Sequence, residues 1–281
     1  MADTTPTGKV VMMTGAARGM GKEMSIGLAA AGARVVMIDL DEDVLGVAAR
    51  EVEAAGGQGA ALALVCDVTS QAAAADAFSK ALERYGRVDV LVNDAVIGPE
   101  NVGAGFMAKP RKFWELDDEL WNAMLRVNVY GPQLMAKTVV GHMIDNGWGR
   151  IINITTSLDT MYRFGLGAYG PAKAALEAHT HVMAHDLEGT GVTANVLVPG
   201  GPVATRMFPD DAGVPRDKLI RPDVMVDPIV WLSSDDADGV SSMRFIAAAW
   251  DASLDRDTRI AKAGAPAAWT QLGAQAIYPD D

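Results

Sequence analysis

Thr14-Gly15-Ala16-Ala17-Arg18-Gly19-Met20-Gly21 closes the apolar run Val10–Thr14 and opens directly into the helix-like stretch Gly19–Ala31. A turn that passes from strand to helix this abruptly needs residues without a Cβ where the backbone must come close to a ligand. The first turn of a helix adds free N–H groups and the positive end of the helix dipole, which together suit a pyrophosphate. Three glycines at this spacing are a weak signal alone and a strong one between a first strand and a helix. Gly15, Arg18, Gly19, Met20 and Gly21 are therefore read as the floor of a dinucleotide site.

Outward from this turn, short Val/Ile/Leu-rich runs alternate with longer helical stretches. The strands expected are Val10–Thr14, Arg34–Asp39, Ala61–Cys66, Val88–Asn93, Arg150–Thr155, Val192–Val198 and Met243–Ala248. The helices expected are Gly19–Ala31, Asp41–Ala55, Gln71–Tyr85, Asp117–Asn146, Ala168–Glu188 and Pro222–Ser233. Gly32, Gly56, Gly86, Gly147 and Gly189 stand where helices end in a left-handed residue. Alternation of this kind predicts an α/β fold with a doubly wound parallel sheet, covered on both faces. The reading gives a polar segment over 1–8, one domain over 9–250, and a tail over 251–281 that is expected to wander over the surface.

The second strand ends on Asp39, twenty-four residues after Gly15, where a ribose-binding acid belongs. A carboxylate there accepts from the 2′-hydroxyl and repels a 2′-phosphate, so NAD is favoured over NADP, although Arg18 or Arg34 nearby would offset the repulsion. Asp67 and Val68, after the third strand, are placed against the adenine ring. The lone cysteine, Cys66, is read as a buried core residue in a protein of the reducing cytosol. The 281 residues carry 24 Lys and Arg against 36 Asp and Glu, a formal charge of −12, which argues against a nucleic-acid partner. No apolar run approaches the ~20 residues of a membrane span.

Reducing a ketone requires a hydride donor, and beside the carbonyl oxygen a proton donor and a group to stabilise developing charge. Tyr169 and Lys173 are four apart and share a helix face, so the ammonium is expected to lower the phenol's pKa. Together with the Thr14–Gly21 turn, Asn93-Asp94-Ala95, Asn128 and Tyr169-Gly170-Pro171-Ala172-Lys173, the sequence resembles the short-chain dehydrogenase/reductase family over about Lys9 to Ala248. The resemblance implies a single Rossmann-like domain with strand order 3-2-1-4-5-6-7, nicotinamide-dependent hydride transfer without a metal, and a homodimer or homotetramer. It makes Tyr169 the acid/base, Lys173 a ligand of the nicotinamide ribose, and Asn128 the holder of a proton-relaying water. It sets Asn93 and Ala95 by the adenosine ribose, Pro199, Gly200 and Val203 near the nicotinamide, and Thr205 near the cofactor. Two departures stand out: Asp94 replaces an amide, and Val96 a glycine. The family's polarising serine lies thirteen before the tyrosine, so register points to Thr156 and residue type to Ser157; register is preferred.

Two long loops, 97–116 and 200–221, follow strand ends and are read as walls of the substrate site, through Phe106, Met107, Phe113, Trp114, Met207 and Phe208. Met161, Tyr162 and Phe164 are expected to join them in an aromatic-lined pocket for a small-to-medium lipophilic secondary alcohol or ketone. Any of Arg111, Lys112, Arg163 or Arg206 turned inward would instead suit an anionic substrate. The four histidines lack a metal-binding pattern. An NAD-using epimerase or dehydratase of the same fold, or a non-catalytic NAD sensor, are the alternatives; the intact Tyr169/Lys173 pair speaks against the sensor.

Overall fold

The computed structural model describes residues 5–103, 105–208, 210 and 215–273; parts of the expected N-terminal segment, both loops and the tail lie outside them. The strands are β1 (Val10–Thr14), β2 (Arg34–Asp39), β3 (Ala61–Val65), β4 (Val90–Asn93), β5 (Gly149–Ile154), β6 (Val192–Val198), β7 (Met243–Ile246) and β8 (Gly264–Pro266). They form one sheet in the order 3-2-1-4-5-6-7-8, parallel throughout except for the last pair. The helices that cover it are α1 (Gly19–Ala30), α2 (Glu42–Gly56), α3 (Gln71–Tyr85), α4 (Asp118–Leu125), α5 (Gly131–Asp145), α6 (Leu158–Met161), α7 (Tyr169–Asp186), α8 (Val226–Leu232) and α9 (Arg256–Ala263).

Side chains that alternate along each strand feed two cores. In β1, Val11 and Met13 pack with α1, α2 and α8, while Val10 and Met12 pack with α3, α5 and α7. Burial on both faces explains why the strands read as continuous apolar runs. β1 pairs with β2 on one side and β4 on the other, so the chain winds away in both directions from its carboxyl end. That switch point is where an open α/β sheet leaves a crevice for ligands.

Three expectations are corrected. The stretch Asp117–Asn146 is not one helix: α4 and α5 are separated by a π-helical turn, Arg126–Tyr130. Asn128 sits in that turn, fully buried, accepting from the Ile97 N–H at 2.9 Å and donating to its carbonyl at 3.0 Å. The extra residue of a π turn re-aims this amide at the loop after β4 instead of at the helix's own backbone. Second, α2 runs through Gly56, and Gly57 ends it at φ 87°, ψ 173°, a positive-φ conformation outside the left-handed helical region expected. Third, the tail does not simply wander. Asp255 caps α9 by accepting from Thr258 N at 3.1 Å, and β8 then adds an antiparallel edge to β7. Pro266 is tolerated because an edge strand leaves one side unpaired, and Ala267 completes the seal against Val196 and Val198. No described helix is long and apolar enough to cross a membrane.

Candidate active site

The crevice at the carboxyl end of the sheet contains two adjoining cavities. The first, about 280 Å³, runs along the glycine turn past Asp39, Asp67, Val68 and Ala95 to Thr205, with Arg18, Gly19 and Met20 on its floor. The second, about 350 Å³, is walled by Thr156, Ser157 and Tyr169 on one side and by Pro199, Gly200 and Val203 on the other. Met20, Thr205 and Met207 border both.

The first cavity fits a dinucleotide on structural grounds. Gly15 has φ +69°, and a Cβ there would lie 2.9 Å from the Ala95 nitrogen. A Cβ on Gly21 would collide with the Gly15 carbonyl, so α1 begins as close to β1 as the backbone allows. Unlike α2, whose N-terminus is capped by Asp41, α1 has no side-chain cap and no acidic residue in its first turn. Its N-terminal dipole is left without a negative partner of its own, apart from the buried carboxylate of Asp94, whose pKa the Gly21 backbone lowers. Asp39 is steadied by three backbone donors, Ala17 N (3.1 Å), Leu40 N (2.8 Å) and Asp41 N (3.3 Å), which leave acceptor capacity for a ribose hydroxyl. Arg18 is ion-paired with Asp41.

Asn93 does not reach this cavity. Its amide donates to Asn153 Oδ1 at 2.9 Å inside the β4–β5 pair. The next residue, Asp94, lines the cavity instead. Burial raises its pKa, and Lys173 pulls it back down. Glu100, in a 3-10 turn over Pro99–Val102, is a lining residue the sequence reading missed; its Oε2 is buried without a hydrogen-bond partner. A proline that opens a short helix after β4 was the signal that could have found it.

In the second cavity, β5 ends at Ile154, so Thr155, Thr156 and Ser157 already belong to the turn. Tyr169, the first residue of α7, shares the cavity wall with Thr156, whose side chain acts to lower the phenol's pKa. Ser157 lines the cavity too, but its Oγ is engaged with Thr160 Oγ1 at 2.8 Å. Lys173, buried one turn on, donates to the Ile154 carbonyl at 2.8 Å. The Tyr169 phenol is pushed up to about 12, mainly by burial and further by Asp94 and Glu100, against the lowering pull of Thr156. This reverses the expected lowering. Desolvation dominates at the phenol, and Lys173 is itself pulled down by burial, against the pull of Asp94.

The walls differ from expectation in detail. Phe106 is buried and, with Met107, Met207 and Phe208, lines the cavity. Phe113, Trp114, Tyr162 and Phe164 are 68–80% exposed and do not line it, so the pocket is less aromatic than expected. Arg163 and Asp159 are the charged residues on its wall, Arg206 lines the dinucleotide cleft, and Arg111 and Lys112 line neither. Among the described residues no group of three or more His, Cys, Asp or Glu is arranged to hold a metal ion.

Comparison with known proteins agrees with this geometry. The short chain dehydrogenase family model matches residues 9–212. The chain is 32% identical over 237 residues to (2S)-[(R)-hydroxy(phenyl)methyl]succinyl-CoA dehydrogenase subunit BbsD of Thauera aromatica, covering 82% of this chain and 90% of that one. A Brucella melitensis 3-ketoacyl-(acyl-carrier-protein) reductase complexed with NADH superposes with TM-score 0.72 at 28% identity, over 84% of this chain and 95% of its own. A metagenomic short-chain oxidoreductase in complex with NADP does so with TM-score 0.66 at 28% identity, over 81% and 90%. A glycine turn at the sheet's switch point, a tyrosine and lysine one turn apart beside it, and a family match over most of the chain lead to one conclusion: this protein belongs to the short-chain dehydrogenase/reductase family of oxidoreductases.

Proposed function

We propose that the chain transfers a hydride between NAD(H) and a small-to-medium lipophilic secondary alcohol or ketone, with Tyr169 as general acid and base. The observation that carries this reading is that Tyr169 and Thr156 stand together in the wall of an apolar-lined cavity that opens onto the glycine-turn cleft. The nicotinamide supplies or accepts the hydride, so no metal is needed. Thr156 and Tyr169 hold the substrate oxygen; a phenol that favours its protonated form is ready to donate as the ketone is reduced. Lys173, fixed to the Ile154 carbonyl, places a positive charge one turn from the tyrosine and would hold the nicotinamide ribose. The Asn128 side chain is fixed by Ile97, which takes one N–H and one lone pair of its amide and leaves the others free for a relay water.

NAD is preferred in this reading because Asp39 faces the cleft while Asp41 occupies Arg18, a cleft-lining guanidinium that would otherwise welcome a 2′-phosphate. Assembly as a dimer or tetramer is supported by Ile144 on α5 and Val182 on α7, apolar side chains left exposed on two helices that His179 and Gln133 join. A second substrate reading, a carbonyl compound bearing an acidic group, rests on Arg163 at the cavity wall. Both are tested by following reduced-nicotinamide absorbance with NAD and NADP against neutral and carboxylate-bearing alcohols and ketones. Turnover of neutral compounds with NAD is expected. A preference for the acids selects the Arg163 reading, and tight NAD binding with silence across the panel contradicts both.

A further inference from the structure

Beyond the residues that meet substrate or cofactor, the turn carrying Thr156 is held from behind by a buried ion pair. Glu177 lies one turn past Lys173 on α7 and is fully buried; its Oε2 accepts from Thr155 Oγ1 at 3.1 Å. Its Oε1 accepts from Arg244 Nε at 3.0 Å, and Arg244, on β7, donates through Nη2 to the Thr156 carbonyl at 2.8 Å. With Lys173 on the Ile154 carbonyl, three consecutive residues leaving β5 are each tied to α7 or β7. Tyr169, Lys173 and Glu177 repeat at four-residue intervals, so a single helix face carries the acid, the ammonium and the clamp.

Stability alone is a poor reason for this pair. Desolvating two charges offsets most of their attraction, and apolar residues of similar volume commonly serve a fold as well or better. A planar guanidinium, by contrast, reaches a carboxylate and a carbonyl at once in a fixed geometry that few other side chains supply. Tolerance at the Thr156 hydroxyl is small, since catalytic groups must stay within about 0.5 Å of their working positions. We propose that Glu177 and Arg244 are positioning residues for the oxidoreductase reaction, fixing the Thr155–Thr156 backbone so that the Thr156 hydroxyl meets Tyr169 and the substrate oxygen together. The inference rests on the reading of Thr156 and Tyr169 given above.

The test is the double variant Glu177→Leu/Arg244→Met, which removes both charges together and so avoids leaving one buried unpaired. Its kcat is expected to fall roughly 10- to 100-fold, the scale of a misplaced catalytic group, while KM for NAD changes less than about twofold. The rising limb of the alcohol-oxidation rate should also move to higher pH, because a displaced Thr156 no longer exerts the lowering pull that opposes the raised Tyr169 pKa. The other charged groups facing the phenol, Asp94, Glu100 and Lys173, are untouched, so the shift reports on Thr156. Glu177→Gln, which can still accept from Arg244, should restore most of kcat. Arg244→Lys, which keeps the charge and loses the fork, should reproduce the fall and covers the case in which the double variant does not fold. A folded double variant or Arg244→Lys with the parent's kcat and pH limb overturns the proposal. A parent without hydride transfer to any substrate, by contrast, brings down the underlying reading and the pair's role with it.

Discussion

Thr156 and Ser157 are neighbours with the same chemistry, and their partners separate them. Ser157 Oγ is engaged with Thr160 Oγ1, whereas the Thr156 side chain acts on the phenol of Tyr169 and lowers its pKa. Thr156→Val should therefore lose about 2.7–4 kcal/mol of transition-state stabilisation, the scale of a lost oxyanion donor, and Ser157→Ala much less. Comparing kcat/KM for the two variants checks the ranking, and the reverse order would transfer the role to Ser157. Asp39→Ala removes a ribose acceptor and a negative charge together, so KM for NAD should rise and NADP become usable. A parent that already prefers NADP would contradict this. Asp94 offers a pH prediction. Its charge raises the Tyr169 pKa, so Asp94→Asn should ease phenolate formation and move the rising limb of alcohol oxidation to lower pH. An unmoved limb would mean that the carboxylate does not act on the phenol.

At the scale of elements, the π turn between α4 and α5 is a device for holding the loop after β4. Asn128→Ala would leave the Ile97 N–H and carbonyl without their partner, at a cost of about 1–3 kcal/mol for each group that stays dry. Denaturant unfolding should show a lower midpoint; an unchanged midpoint would mean that the turn holds its shape without the amide. In the sequence, Asn128 between Val127 and Val129 was visible as a polar intruder in a helical pattern, but periodicity does not reveal which hydrogen bonds a helix gives up. Strands and helix ends were legible because alternation and terminal glycines are local signals. The α9–β8 extension was hidden by its proline and glycines, which mark an edge strand as readily as a loop. Glu177 and Arg244 are sixty-seven residues apart, and nothing local ties them together.

For the molecule as a whole, one sheet does two jobs. Its two cores lock α1 and α7 on opposite faces, and its switch point leaves the glycine turn of α1 and the Tyr169 end of α7 around one crevice. Most of the dinucleotide side was readable from sequence because it depends on glycines and an acid at fixed distances from strand ends. The substrate side was less so. Whether Phe106 turns in while Phe113, Trp114, Tyr162 and Phe164 turn out is decided by packing among distant segments, and composition cannot express it.

The central claim is that Tyr169 moves the proton that accompanies hydride transfer in this crevice. It is tested most directly by Tyr169→Phe, with NAD binding measured by titration alongside turnover of the best alcohol from the panel. NAD affinity should stay close to the parent's while kcat falls by roughly two to four powers of ten, the range for removing a general acid. Near-parental turnover in a variant that binds NAD normally would contradict it.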